Sequence, residues 1–139
     1  MRPIFTLHAG EYLVGSYLEQ HYPDLAIWLP GKDTEVGLLV TDRAARRTLS
    51  LQVKFSKDFL VTHMPPGFRS KLRACGWWTF NREELLAWPA DYCVLVLQGF
   101  NAQSTDFVLF GPADLLKRLN AVRGTKAKFI QFQHLGQHR

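Results

Sequence analysis

The sequence has no apolar run near the roughly 20 residues that a bilayer-spanning helix needs. Its most compact apolar run, Cys93-Val94-Leu95-Val96-Leu97, has the length of a buried strand, so no membrane partner is expected. The first residues, Met1-Arg2-Pro3-Ile4-Phe5, lack the apolar core and small-residue cleavage site of a secretory signal, which makes the cytoplasm the expected compartment. Two cysteines occur, Cys75 and Cys93, neither in a C-x-x-C pair nor near a histidine at ligand spacing. They read as buried thiols rather than a disulfide framework or a zinc site. Internal repeats and low-complexity tracts are missing, as are a G-x-S-x-G elbow, a Walker lysine loop and a dinucleotide glycine fingerprint. The five histidines are scattered; His134 and His138, four apart, read as surface residues of a frayed end.

What remains is an ordinary globular composition. The 139 residues are 47% hydrophobic and 21% charged, enough for one domain, 1–139, with its own core. The net charge of +5 is unevenly spread. Residues 1–42 hold six acids and two bases, whereas residues 43–82 hold nine bases and one acid, Asp58. After Asp114 there are six further bases and no acid. Two basic stretches of this kind fit a polyanionic partner if they converge in space.

The order of patterns is that of a single α/β domain. Leu13, Val14, Tyr17 and Leu18 recur at helical spacing from about residue 8 to His21, before Tyr22-Pro23 ends the helix. Glu11 falls on the same face as Val14, Gly15 and Leu18, so its carboxylate is expected to point toward whatever the helix packs on. Strands are expected over 25–29, 36–41 and 49–56. In the last of these Leu49, Leu51, Val53 and Phe55 make one face, and Ser50, Gln52, Lys54 and Ser56 the other. The short turn 42–47 makes the second and third strands antiparallel neighbours, which would bring the face of Glu35 and Gly37 near Gln52 and Lys54.

Residues 57–76 read as irregular or partly helical, and Trp77-Trp78-Thr79-Phe80 as a short extended piece, a core anchor or a surface for stacking bases. Asn81 with Glu84 starts a helix expected to run through Trp88, ahead of Pro89. Strands follow over 92–98 and 106–111, then a helix opened by Pro112 with Leu115, Leu116 and Leu119 on its apolar side. Phe129 to Phe132 is expected to close the sheet.

The chemistry suggested by these residues is phosphodiester hydrolysis. A hard cation held by oxygen ligands neutralises charge developing on phosphate and lowers the pKa of an attacking water. A neighbouring lysine positions that water and steadies the phosphate. A helix glutamate, here in His8-Ala9-Gly10-Glu11-Tyr12-Leu13-Val14-Gly15, followed by a strand pair and then Gln52-Val53-Lys54, resembles the PD-(D/E)xK nuclease superfamily, in particular its Mrr-like and related uncharacterised bacterial members. The likeness runs over residues 1 to about 100 and takes in the Trp77-Trp78 segment and the strand 92–98.

The resemblance implies a restriction-endonuclease-like core with a central mixed β-sheet flanked by helices, and a nuclease dependent on Mg²⁺ or Mn²⁺. It implies Glu35 and Gln52 as metal ligands, Glu11 as an orienting carboxylate and Lys54 as the water-positioning cation. It also implies nucleic acid, DNA in the first instance, as partner, with Arg43, Arg46, Arg47, Lys57, Arg69, Lys71 and Arg73 as its contacts. A second copy of the chain or another protein would help to choose the target. The sequence departs from the pattern at Gly37, which stands where the superfamily's metal-binding strand aspartate belongs. The alternative expectation is therefore a catalytically degenerate domain that binds nucleic acid or a protein.

Overall fold

The computed structural model describes residues 9–31, 36–57, 65–70, 72–99, 104–124 and 129–137. The first helix, α1 (Ala9–His21), stops where Tyr22 donates its amide to the Leu18 carbonyl and Pro23 follows. β1 (Leu25–Trp28), β2 (Leu38–Asp42) and β3 (Thr48–Lys57) make an antiparallel run, with Leu25 opposite Asp42 and Val40 opposite Leu49. β5 (Tyr92–Gly99) lies parallel to β3, with Val53 beside Val94, and β6 (Ser104–Phe110) returns antiparallel to β5. The result is a five-stranded mixed sheet in the order β1-β2-β3-β5-β6 within an α/β fold.

β5 lies inside the sheet, between β3 and β6, and its run is apolar on both sides. Every residue from Cys93 to Leu97 is at most 4% exposed, the pattern of a strand covered on both faces. One face packs with Val14 of α1 in a cluster that includes Leu38, Leu51, Val53, Val94 and Val96. The other packs Cys93, Leu95 and Leu97 against Trp78, Phe80, Leu85, Leu115 and Leu119. These come from β4 (Leu72–Asn81), α3 (Arg82–Leu86) and α4 (Pro112–Arg123), the last opened by Pro112 as its sequence predicts. A four-residue helix, α2 (Pro66–Arg69), precedes β4.

Four expectations are corrected. β7 (Phe129–Gln137) does not close the main sheet. It pairs with β4 in a separate two-stranded sheet, so residues 72–76, expected to be irregular, are strand, and His134 sits in the ladder opposite Gly76 rather than in a frayed end. The reason is local to β4: Trp78 folds its ring back over Gly76, where a Cβ would stand 2.4 Å from Trp78 Cη2, and the strand can bury Cys75, Trp78 and Phe80. α3 ends at Leu86, short of Trp88. Asn81 caps it as expected, accepting from the Glu83 amide at 3.0 Å and donating to Glu84 Oε1 at 3.4 Å. Pro89 then disfavours helical geometry at Trp88, whose ring meets Phe80 edge-on.

Candidate functional site: a forked strand pair and a basic sheet end

Gly10 sets the position of α1. A Cβ there would lie 2.9 Å from Val53 Cγ1 and 3.2 Å from Phe55 Cβ, so its absence lets the helix rest directly on β3. That close approach carries the Glu11 side chain to the point where β2 leaves β3. The two strands pair only from Leu38–Leu51 to Thr41–Thr48, and the Gly37 amide makes a last bond to the Leu51 carbonyl at 2.8 Å. β3 continues to Lys57 with β5 beside it. At this fork a Cβ on Gly37 would stand 3.3 Å from both Cγ and Oε1 of Glu11 and 3.4 Å from the Val53 amide. Glu11 is half-buried and faces inward, as its helical spacing predicts.

Gln52 and Lys54 share a face of β3, also as predicted, but it is not an open polar face. Val53 and Phe55 point toward α1, so alternation turns Gln52 and Lys54 to the opposite side, beside the fully buried Cys93 and Leu95. Tryptophans roof this side. Trp78 Nε1 donates to the Lys54 carbonyl at 3.2 Å, the Trp77 amide donates to Ser56 Oγ at 2.9 Å, and the Lys54 ammonium lies 5.7 Å from the Trp88 ring centroid. Gln52 Oε1 is buried and has no hydrogen-bond partner among the described residues. Burial pushes the Cys93 thiol up to about 12, against the partial pull of the nearby Lys54 charge, so the sulfur stays protonated and is no nucleophile at neutral pH. Glu11 and the Gln52/Lys54 pair thus approach β3 from opposite faces.

Among the described residues the donor set does not by itself fit the divalent cation that the resemblance implies. The orphaned Gln52 oxygen is one neutral donor and Glu11 is one carboxylate, whereas Mg²⁺ wants an octahedron of hard oxygens. No group of three His, Cys, Asp or Glu able to hold a metal occurs among the described residues. Glu35, expected as a ligand, lies outside them.

The basic residues are spread over several elements. Asp42 Oδ1 accepts the amides of Arg46 and Arg47 at 2.7 and 3.3 Å, with Ala45 at a φ of 54°, which folds a tight turn and leaves both arginine side chains exposed. Arg43 reaches back to the Pro23 carbonyl at 3.2 Å and lies 3.8 Å from Asp24. Exposed Arg69 lies on α2, ahead of β4. Lys57 closes β3 and Arg73 follows in β4, while Lys71 lies outside the described residues. Two cations not among the seven contacts expected from the sequence, Lys117 and Arg118 of α4, line a depression with Tyr92 and Leu109 at the same sheet end as the arginine turn. Their place follows from β6, whose last residue pairs with Cys93 before α4 begins. Arg82, by contrast, clamps α3 to α4 through the Asn120 side chain and the Gly124 carbonyl.

No family model, curated protein or solved structure matches the chain. Among the described residues no helix is long and apolar enough to cross a membrane.

Proposed function

We propose that this chain is a nuclease-like α/β domain that binds nucleic acid without cleaving it. The reading rests on the fork. There Gly37 offers no ligand, the Glu11 side chain lies against it, and Gln52 and Lys54 turn away under the tryptophan roof. At one end of the sheet, Arg46 and Arg47 on the β2–β3 turn and Lys117 and Arg118 on α4 are exposed cations that a polyanion can reach. DNA and RNA share the phosphate chemistry that these groups would meet.

The test is binding of labelled oligonucleotides as salt is raised, together with calorimetric titration of Mg²⁺ and Mn²⁺. Affinity should fall steeply with salt, as condensed counterions are released. Wild type should take up neither metal. Gly37→Asp would set a second carboxylate against Glu11. The 3.3 Å approach to Glu11 makes this tighter than the mild change a strand glycine suggests, since the glutamate must move aside. The two carboxylates should then share a cation, and Mn²⁺ uptake should appear. Absence of nucleic-acid binding at low salt overturns the proposal. So does Mn²⁺-dependent cleavage by wild type that Lys54→Ala lowers at least about a hundredfold, the contribution of a positioned acid-base group. That second result would restore the hydrolytic reading.

A further inference from the structure

The two basic stretches of the sequence meet in one place, the ladder of β4 and β7. Residues 59–82 hold four bases and residues 115–139 six, with no acid in either. The ladder pairs the first stretch with the second, from Leu72–Gln137 to Asn81–Phe129. The nearest strands of the main sheet extend the pattern. β3, whose Ser56 hydroxyl accepts the Trp77 amide and whose Lys54 carbonyl accepts Trp78 Nε1, carries Lys54 and Lys57 and no acid. β5, against which Trp78 and Phe80 pack, carries no charged residue.

Of β3, β5, α3 and α4, which flank this ribbon, only the helices bring acids. Glu83 and Glu84 stand exposed on α3, at the Asn81–Phe129 end, and Asp114 lies in the first turn of α4, ahead of Lys117, Arg118 and Arg123. At the Leu72–Gln137 end the sequence Arg69-Ser70-Lys71-Leu72-Arg73 leads into β4 without an acid, so that end is the positive one. The ribbon has one face on the core and one in solvent. Trp78 and Phe80 are buried, whereas Trp77 is 37% exposed and Thr79 is exposed too. Alternation puts Trp77 and Thr79 on the outer face. The register sets Gln133 and Gln131 directly opposite them on β7, so this part of the face is uncharged and built of residue types that hydrogen-bond.

We infer that the β4–β7 ribbon is a recognition element for duplex DNA: its outer face enters the major groove, Trp77 and Thr79 with their register partners meet base edges, and the acid-free chain at the Leu72–Gln137 end meets phosphate. The inference rests on the nucleic-acid reading above and adds the class of nucleic acid and the element that meets it. The major groove of B-form DNA, roughly 12 Å wide, admits a two-stranded ribbon. A-form RNA closes its major groove to side chains, and a single strand has no groove to enter. Hydroxyls and amides are groups that read base edges, glutamine pairing with adenine, while the positive surround supplies affinity without sequence preference.

The experiment is fluorescence anisotropy at low salt with three labelled probes: a mixed-sequence DNA duplex, the RNA duplex of the same sequence and one DNA strand alone. Wild type is compared with Thr79→Glu and Thr79→Lys, which put opposite charges on one exposed position, and with Tyr12→Glu, which puts the same negative charge on an exposed residue of α1, across the sheet from the ribbon. Wild type should prefer the DNA duplex. Thr79→Glu should weaken that binding at least about tenfold, the effect of a like charge set against phosphate, while Thr79→Lys binds no more weakly than wild type and Tyr12→Glu stays close to it. From a randomised duplex pool wild type should enrich sites bearing adenine, and Gln131→Ala combined with Gln133→Ala should lose that enrichment but keep mixed-sequence affinity. Equal affinity for the three probes, a preference for RNA or for the single strand, equal weakening by Glu and Lys at position 79, a Thr79→Glu variant no weaker than Tyr12→Glu, or a pool without enrichment each overturns the inference and leaves the nucleic-acid reading standing. No binding of any probe removes both. A dimer in sedimentation that Thr79→Glu dissociates makes the ribbon an interface between copies, and likewise overturns the inference.

Discussion

The two faces of the five-stranded sheet are closed to different degrees. On one side β4, α3 and α4 enclose Cys93, Leu95 and Leu97, and even the polar side chains of β3 are drawn under tryptophan. On the other a single helix rests on β3, and Leu49 and Leu109 stay 47% and 60% exposed beside Tyr17, Tyr22 and Tyr92. A strand's polar side is therefore not a guide to solvent. Gln52 and Lys54 alternate as a surface pair should, yet they lie on the closed face, while the open face is the one built from apolar alternation. The fork belongs to the α1 side, where Glu11 comes down from the helix.

The strongest test of this contrast is a pair of leucine truncations. Leu97, 1% exposed, is enclosed by the tryptophan and α4 cluster. Leu97→Ala should cost about 2–5 kcal/mol in urea unfolding, from lost transfer energy and the cavity left behind. Leu109→Ala, at a position 60% exposed, should stay within about 0.5 kcal/mol of wild type. A comparable loss at both positions would mean that the α1 side is covered in solution, and the contrast between the faces would fall.

Much of this architecture is written locally. The 2.0 period of residues 49–55, the Asn81 cap and the apolar run 93–97 each encode their element in a few adjacent residues, and each element forms. Gly37 could be placed next to Glu11 and β3 because the strand order up to β3 is also local. What is not legible depends on distant partners. The β4–β7 ladder joins residues more than forty positions apart in sequence, and Leu72-Arg73-Ala74-Cys75-Gly76 carries little alternation to announce it. The roof over Gln52 and Lys54 comes from Trp78 and Trp88, which only tertiary packing brings there. Tyr17, Tyr22 and Tyr92, which line one depression, stand at the end of a helix, just after it and at the start of a strand.

A smaller effect probes the closed face by pH. The Cys93 thiol rises from 9.0 to about 12 on folding because burial penalises the thiolate. The neutral thiol is the form that the fold accepts. Its contribution is complete below pH 9 and is lost as pH climbs from 9 toward 12. Across that window wild type should lose stability more steeply than Cys93→Ala, by up to about 1.4 kcal/mol per pH unit for one proton. Urea midpoints taken at pH 8, 9, 10 and 11 give the two slopes. Parallel curves would mean that water reaches this sulfur and that the face is less closed than its packing indicates.

The smallest effect sharpens the open face, where two glycines of α1 differ in what lies beneath them. At Gly15, in the middle of the helix, a Cβ would rest 3.7 Å from Ile27 Cγ2, an ordinary contact. Gly15→Ala should therefore gain about 0.5–1 kcal/mol from reduced backbone entropy in the unfolded chain, seen as a rise of roughly 2–4 °C in Tm. Gly10 lies at the start of the helix, where propensity counts for little, and the same methyl would press into Val53 Cγ1 at 2.9 Å and Phe55 Cβ at 3.2 Å. Gly10→Ala should lift α1 from β3, lower Tm and carry Glu11 away from the fork. Opposite signs from one substitution on one helix are expected only if its first turn is pressed onto the sheet and the later turn has room beneath it. Equal gains at both positions would show α1 riding higher over β3, with Glu11 no longer held against Gly37.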